Sequence, residues 1–265
     1  MVIVFAGKKQ SGKNSSANLA AGLYLKQQQL IRDFEIDQNG CLTLTTGAGR
    51  TISISEVQIL REGLFSGVVK TYSYATALKE FLERTQMTTR GGLWGTDEEK
   101  NAPSNCVWDN LPTSIRAQYA DLSKCSLHDQ ESFFVTPRAG HPNGLRIGSM
   151  SNRRLMQVFG TDMVRALLSE SFINALLTDI QRDEKKGTKL ALVTDARFPN
   201  EVCCHPNHKK IRLMRSLFSD THLSETAVEE MKDEEFDLVI DNNGMDLSAK
   251  NAILEPVLTG WFREM

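Results

Sequence analysis

The chain has 265 residues, a mass of 29.6 kDa and a formal net charge of −2. Apolar residues make up 40% and charged residues 24%, an ordinary globular composition that excludes wholesale disorder. The near-neutral balance argues against broad coating of nucleic acid but leaves a local basic cleft open, and no apolar run approaches the ~18 residues of a membrane span.

Residues 2–6, VIVFA, are short, apolar and β-branched, which predicts a fully buried strand. A glycine-rich turn follows, then a predicted helix over 13–28 with Leu19, Ala20, Leu23 and Tyr24 on one face. FEIDQNGCLTLTT alternates about Asn39-Gly40, a hairpin signal that predicts a β-hairpin insertion over 33–54. Ser55 is placed to cap a short helix ending at Gly63. GVVKTYSY then reads as a strand and ATALKEFLERT as a helix.

From 86 to 150 periodicity fades and Gly, Pro, Asn and Thr accumulate, which predicts an inserted, loop-rich lobe. Helices return over SNRRLMQVF and again through Phe172 to Ile180. The strand KLALVTD, a short helix PNEVCCH carrying both Cys203 and Cys204, the strand KIRLMR, the helix SETAVEEMK, the strand FDLVID and a last helix complete the chain. Strands alternating with helices predict an α/β fold, a parallel central sheet with helices on both faces in one domain over 1–265. The five cysteines (Cys41, Cys106, Cys125, Cys203, Cys204) are irregularly spaced and form no C-x-x-C, so they read as reduced thiols, not as a zinc or redox site. The first residues are too short for a signal peptide and run straight into a motif. Together these features predict a cytoplasmic protein.

The sharpest motif is Gly7-Lys8-Lys9-Gln10-Ser11-Gly12-Lys13, which fits G-x-x-x-x-G-K between a buried strand and a helix. Glycines let backbone N–H groups turn inward around phosphate oxygens, and the helix N-terminus adds its positive dipole end. Lys13 supplies a cation for the β- and γ-phosphates. The residue after Lys13 is Asn14 where Ser or Thr normally holds Mg²⁺. The metal would then be held by the Asn14 carbonyl oxygen or by Ser15, one step along.

Seven segments in order resemble the deoxynucleoside monophosphate kinases of tailed bacteriophages, P-loop nucleotide kinases whose superfamily includes the animal-type phosphomevalonate kinases. They are GKKQSGKNSSA (7–17), GTDEEKN (95–101), RRLMQVFGTDMVR (153–165), TDARFPNE (194–201), IRLMR (211–215), DTHLSE (220–225) and FDLVIDNNG (236–244). The resemblance implies a P-loop three-layer sandwich with an inserted substrate-binding lid lobe. It also implies ATP and Mg²⁺ as cofactors, and transfer of the γ-phosphoryl to a deoxynucleoside 5′-monophosphate, for phage DNA precursor synthesis in the host cytoplasm. On the ATP side it implies Gly7, Lys9, Gly12, Lys13, Asn14, Ser15 and Ser16, with Asn242 near the adenine. The family commonly reads Asp-Thr where this chain has Asn14-Ser15.

On the monophosphate side it implies Arg154, with Gly160 and Thr161 close by, and Asp195, Arg197 and Glu201 at the end of a strand. Gln157 lies three residues beyond Arg154 on the same helical face, placed to read a base edge. Lys79 matches a family lysine, and Arg215 is the choice for neutralising the transferring phosphoryl beside Lys13 and Asp195. Trp94 and Trp108 are candidate base platforms, with anchoring of loops as the alternative. His222, Ser224 and Glu225 read as a structural helix start.

Two other readings stay open: a P-loop kinase for another acceptor (a hydroxymethylated base in DNA or a phosphomevalonate), and a non-catalytic nucleotide-binding module. The acidic GTDEEKN disfavours a nucleic-acid partner. Small-molecule nucleotides are the expected partners, and the oligomeric state, a homodimer included, is left open.

Overall fold

The computed structural model describes residues 1–8, 10–54, 63–65, 67–121, 134–205, 207–215 and 227–265, apart from the Glu229 side chain. The helix expected after Ser55, the Cys125 region and His222, Ser224 and Glu225 lie outside these residues, as does Lys9. The chain divides into two compact units. In their described parts, the first comprises 1–74, 173–219 and 225–265, and the second 75–172.

The first unit is built on five parallel strands in the order β12-β11-β1-β10-β5. These are β1 (Val2–Ala6), β5 (Val69–Tyr72), β10 (Leu190–Ala196), β11 (Lys209–Met214) and β12 (Leu238–Asp241). β1 is central and fully buried, with Val4 level with Val193 on one side and with Lys210 on the other. Both faces of the central strands are covered, so they read as continuous apolar runs. Ile3, Phe5, Leu190, Leu192, Ile211, Leu213 and Ile240 form one core with α1 (Lys13–Gln27) and the last helix of the chain, Leu247–Arg263. The Tyr24 and Phe262 rings of those two helices meet edge to face at 5.3 Å. This is the expected α/β P-loop kinase-like sandwich.

The helix α1 is buried on more than the single face expected. Ala17, Asn18, Ala21, Gly22 and Leu25 are buried, whereas Leu23 is not. A second, antiparallel sheet explains this: β2 (Asp33–Ile36), β3 (Leu42–Thr45) and β4 (Thr51–Ile54) form a meander whose Leu42, Leu44 and Ile54 join the α1 core. The Asn39-Gly40 turn is present, with Gly40 at φ 82° and its carbonyl accepting from Asn18 Nδ2 at 2.8 Å. The predicted helix over 224–232 is, in its described part, only a 3-10 turn, Ala227–Glu230, because Lys232 returns to an extended conformation. Cys203 and Cys204 also fall outside the helix that begins at Pro199. That helix stops at Val202, Cys203 closes it, and the Cys204 Sγ lies 3.3 Å from the Tyr74 hydroxyl.

In the second unit, α2 (Thr76–Arg84) is followed by α3 (Arg90–Trp94), α4 (Asp97–Asn101), β6 (Pro103–Val107), α5 (Thr113–Gln118), β7 (Phe134–Arg138), β8 (His141–Ile147) and β9 (Ser149–Ser151). Next come α6 (Asn152–Gln157) and a π-helical segment, Val158–Arg165. The stretch expected to be loop-rich thus carries short elements in its described part. β7 pairs with β8 and β6 with β9, both antiparallel. GTDEEKN is itself a capped helix, in which Thr96 Oγ1 accepts from the Glu99 amide and Glu99 Oε2 accepts from the Thr96 amide. Five-residue elements with exposed Pro and Gly show too little periodicity to be read from sequence. The chain then enters α7 (Ser171–Glu184), α8 (Pro199–Val202) follows β10, and the last helix is α9.

Gly22 sits on α1 where an added Cβ would approach Phe34 Cγ to 2.6 Å. Alanine favours a helix interior by about 1 kcal/mol over glycine. Even so, Gly22→Ala should lower the unfolding free energy by about 1–3 kcal/mol through overpacking. Urea unfolding of that variant alone and combined with Phe34→Ala checks this, since the second substitution should return most of the loss.

Candidate active site

The site residues of the first unit lie at the carboxyl ends of the parallel strands. Residue Ala6 is level with Ala196 of β10 and Arg212 of β11, and Met214 with Asp241 of β12. The loop 7–12 leaves β1 at that edge, where open α/β sheets bind ligands.

Two glycines shape the loop. Gly7 has φ 142°, and a Cβ there would collide with the Leu213 carbonyl; Gly12 is left-handed at φ 92° and forms the N-cap of α1. Lys13 is buried, and its Nζ donates to the Gly7 carbonyl at 2.7 Å, to the Lys8 carbonyl and to Ser11 Oγ at 3.4 Å. The ammonium is thereby wrapped by the loop that carries it. Asn242, at the exit of β12, donates from Nδ2 to the Ser11 carbonyl at 3.1 Å, which ties the far strand to the loop. Among the described residues its buried Oδ1 has no hydrogen-bond partner.

Asn14 is exposed on the first turn of α1. Ser15 and Ser16 each donate from Oγ to the Gly12 carbonyl at 2.9 Å. Both hydroxyls also accept from Lys250 Nζ, at 2.8 and 2.9 Å. Lys250, on α9, is 2% exposed, and burial together with the Arg215 charge lowers its pKa to about 8. Sequence reasoning missed it. The available signal was its place in the stripe Lys250, Leu254, Leu258, Phe262, a buried face at four-residue spacing in which a lysine is out of character. Arg215 follows β11 with a buried Nε that has no partner among the described residues, whereas Arg212 is engaged by the Met231 carbonyl at 2.8 Å and Asp233 Oδ1 at 2.9 Å.

Asp195 accepts from the Ser73 hydroxyl at 2.5 Å and the Tyr74 amide at 2.8 Å, which joins the exits of β10 and β5. Glu201 is 2% exposed, and its Oε2 accepts from the amides of Arg197 at 2.7 Å and Phe198 at 3.1 Å. Its carboxylate therefore fixes the backbone on which Arg197 stands.

In the second unit the two adjacent arginines differ. Arg153 donates to Asn101 Oδ1 at 2.9 Å and Asp97 Oδ1 at 2.8 Å, so it binds the acidic helix α4. Arg154 is buried, with its guanidinium 5.0 Å from the Tyr119 ring centre, and the Tyr119 hydroxyl donates to Asp162 Oδ2 at 2.6 Å. Trp108 is 1% exposed between Tyr119 and Arg146, an anchored ring with no open face for stacking a base. Lys79 lies 4.3 Å from the Trp94 ring centre. Gln157 and Thr161 are half-buried, at the end of α6 and in the π-helical segment. Gly160 is there for packing, since a Cβ would come within 2.8 Å of Leu78 Cδ2.

Residues 142–251 match the deoxynucleotide monophosphate kinase family. The match supports the resemblance to the phage enzymes and extends from β8 to the first turn of α9. It thus includes Arg154, Asp195, Arg197, Glu201, Arg215, Asn242 and Lys250. The chain matches no curated protein. Within the matched stretch lies the π-helical segment, an irregularity often found at functional sites. Among the described residues no group of three His, Cys, Asp or Glu could hold a metal ion. Kinase Mg²⁺ needs no such group, being held by one or two protein oxygens together with nucleotide phosphates. Among the described residues no helix is long and apolar enough to cross a membrane.

Asp195→Ala leaves the Ser73 hydroxyl and Tyr74 amide without their acceptor and should lower the unfolding free energy by about 1–3 kcal/mol. Urea titration reads this directly, and wild-type stability would show that the carboxylate does no structural work.

Proposed function

We propose that the protein transfers the γ-phosphoryl group of ATP to a deoxynucleoside 5′-monophosphate, giving the diphosphate, and that it serves DNA precursor synthesis in a bacteriophage. The observation that carries this reading is the loop 7–13. Two glycines in special conformations shape it, a buried lysine is wrapped inside it, and it opens a helix at the carboxyl edge of a parallel sheet. The family match supports the choice of acceptor.

In this reading Gly7, Lys9, Gly12, Lys13, Asn14, Ser15, Ser16 and Asn242 bind ATP. Amides of the loop and of the first α1 turn face the phosphates. Lys13 exchanges its loop carbonyls for phosphate oxygens. Asn14, with its exposed carbonyl oxygen, suits Mg²⁺ better than Ser15, whose hydroxyl already accepts from an ammonium. Mg²⁺, when bound, neutralises charge on the phosphates. To the acceptor monophosphate we assign, in the second unit, Arg154 as its main cation with Lys79, Gln157, Gly160 and Thr161, and, in the first unit, Asp195 and Arg197, whose backbone Glu201 holds. Arg215 adds positive charge for the transferring group. An oxygen of the acceptor phosphate forms the new P–O bond as the bond to the ADP oxygen breaks. That oxygen is already anionic at neutral pH, so no strong general base is needed. The residues contribute position and charge neutralisation.

A coupled assay of ADP formation with dAMP, dGMP, dCMP, dTMP, mevalonate 5-phosphate and a hydroxymethylated oligonucleotide tests the acceptor. At least one deoxynucleoside monophosphate should stimulate turnover, and stimulation by the oligonucleotide alone would reject the reading. Lys13→Ala should reduce kcat by about 100-fold or more, as expected for a lost transition-state contact, with an unchanged circular dichroism spectrum. Arg154→Ala should raise KM for the monophosphate by about 10- to 100-fold, the range for a lost charge-assisted hydrogen bond. KM for ATP should move little, and equal effects on both would remove Arg154 from the acceptor side.

A further inference from the structure

We propose that Lys250 is a second cation of the triphosphate site: a positioning residue that pins the first turn of α1 and whose charge is neutralised only when the nucleotide binds. This rests on the ATP assignment above and extends it to a residue that neither the P-loop motif nor the segment resemblance includes.

The first support is the position. Lys250 occupies the first place of a stripe otherwise made of Leu254, Leu258 and Phe262, where an apolar side chain would satisfy packing. The second is the hydrogen bonding. An ammonium has three donors, and here they go to Ser15 Oγ, Ser16 Oγ and, at 3.3 Å, the Gly12 carbonyl. These acceptors belong to the left-handed Gly12 and the α1 turn whose first amides have no partners within the helix. Lys250 therefore restrains the backbone whose N–H groups would face phosphate oxygens.

The third support is the unbalanced charge. A buried cation normally has an anionic partner, yet among the described residues Lys250 has one carbonyl and two hydroxyls. The Asp246 carboxylate at the start of its own helix accepts from the Ala249 amide. Arg215, beyond β11, acts on Lys250 with like charge, and Lys13 is a further cation on α1 beside Gly12. The N-terminal end of α1 is also positive, so a cation there opposes the dipole. A polyanion at the loop relieves all of these at once.

The test is titration calorimetry of the full chain with ATP and, separately, inorganic tripolyphosphate. Thermal melts accompany the titrations. Wild type should bind both ligands. Lys250→Met should bind both about tenfold or more weakly, the loss expected for one charge-assisted contact. It should melt at the wild-type temperature or higher, because a desolvated charge has been replaced by an apolar chain. A Lys250→Met protein with wild-type affinity, or one whose weaker binding is matched by a lower melting temperature, overturns the proposal and leaves the ATP assignment standing. A wild type that binds neither ligand overturns both.

Discussion

Positive charge buried at the positive end of a helix is the constraint on which the rest of the site turns. Lys13 and Lys250 are both less than one-tenth exposed, and both meet at Gly12 and the residues beside it. In water such charges would be hydrated. Here carbonyls and hydroxyls take up their donors, and among the described residues Lys250 has no carboxylate partner to balance its charge. Such an arrangement at a helix N-terminus favours an anion, which in the proposed reading is the triphosphate of ATP.

The packing shows how the arrangement is held. The central strand β1 delivers the loop, and the Leu213 carbonyl of β11 leaves no room for a side chain at Gly7. Asn242 reaches from β12 to the Ser11 carbonyl, and Lys250 reaches from α9 to Gly12. The meander closes on the same turn from another direction, with Gly40 so near Ser15 that a Cβ would lie 2.6 Å from the serine Cβ. Such mutual constraint keeps backbone dipoles oriented before a ligand arrives, and preorganised dipoles are the largest source of electrostatic stabilisation in catalysis.

Several residues with the right chemistry serve the scaffold. Arg153 and Arg212 are held by Asp97 and Asp233, and Glu201 by two backbone amides. Trp108 is enclosed by Arg146 and Tyr119. Their neighbours Arg154, Arg215 and Arg197 carry the proposed assignment. In the pairs Arg153/Arg154 and Arg212/Arg215, residues of the same type one and three positions apart, the fold ties the first member to a carboxylate.

What the sequence determined by itself is local. VIVFA followed by Gly7, Gly12 and Lys13 specifies strand, loop and helix, because backbone conformation and short-range hydrophobicity decide those elements. Asn39-Gly40 specifies its turn for the same reason. Alternation of strands and helices reached the parallel sheet, and short ordered segments reached the family. Tertiary structure decided what depends on contacts between distant positions. Lys250 joins a loop 238 residues away. The burial of α1 on most of its circumference needs the meander. Whether Arg153 or Arg154 is tied to the acidic helix depends on how Asp97 is presented. A side chain's charge is written in the sequence, but what surrounds and neutralises it is set only by folding.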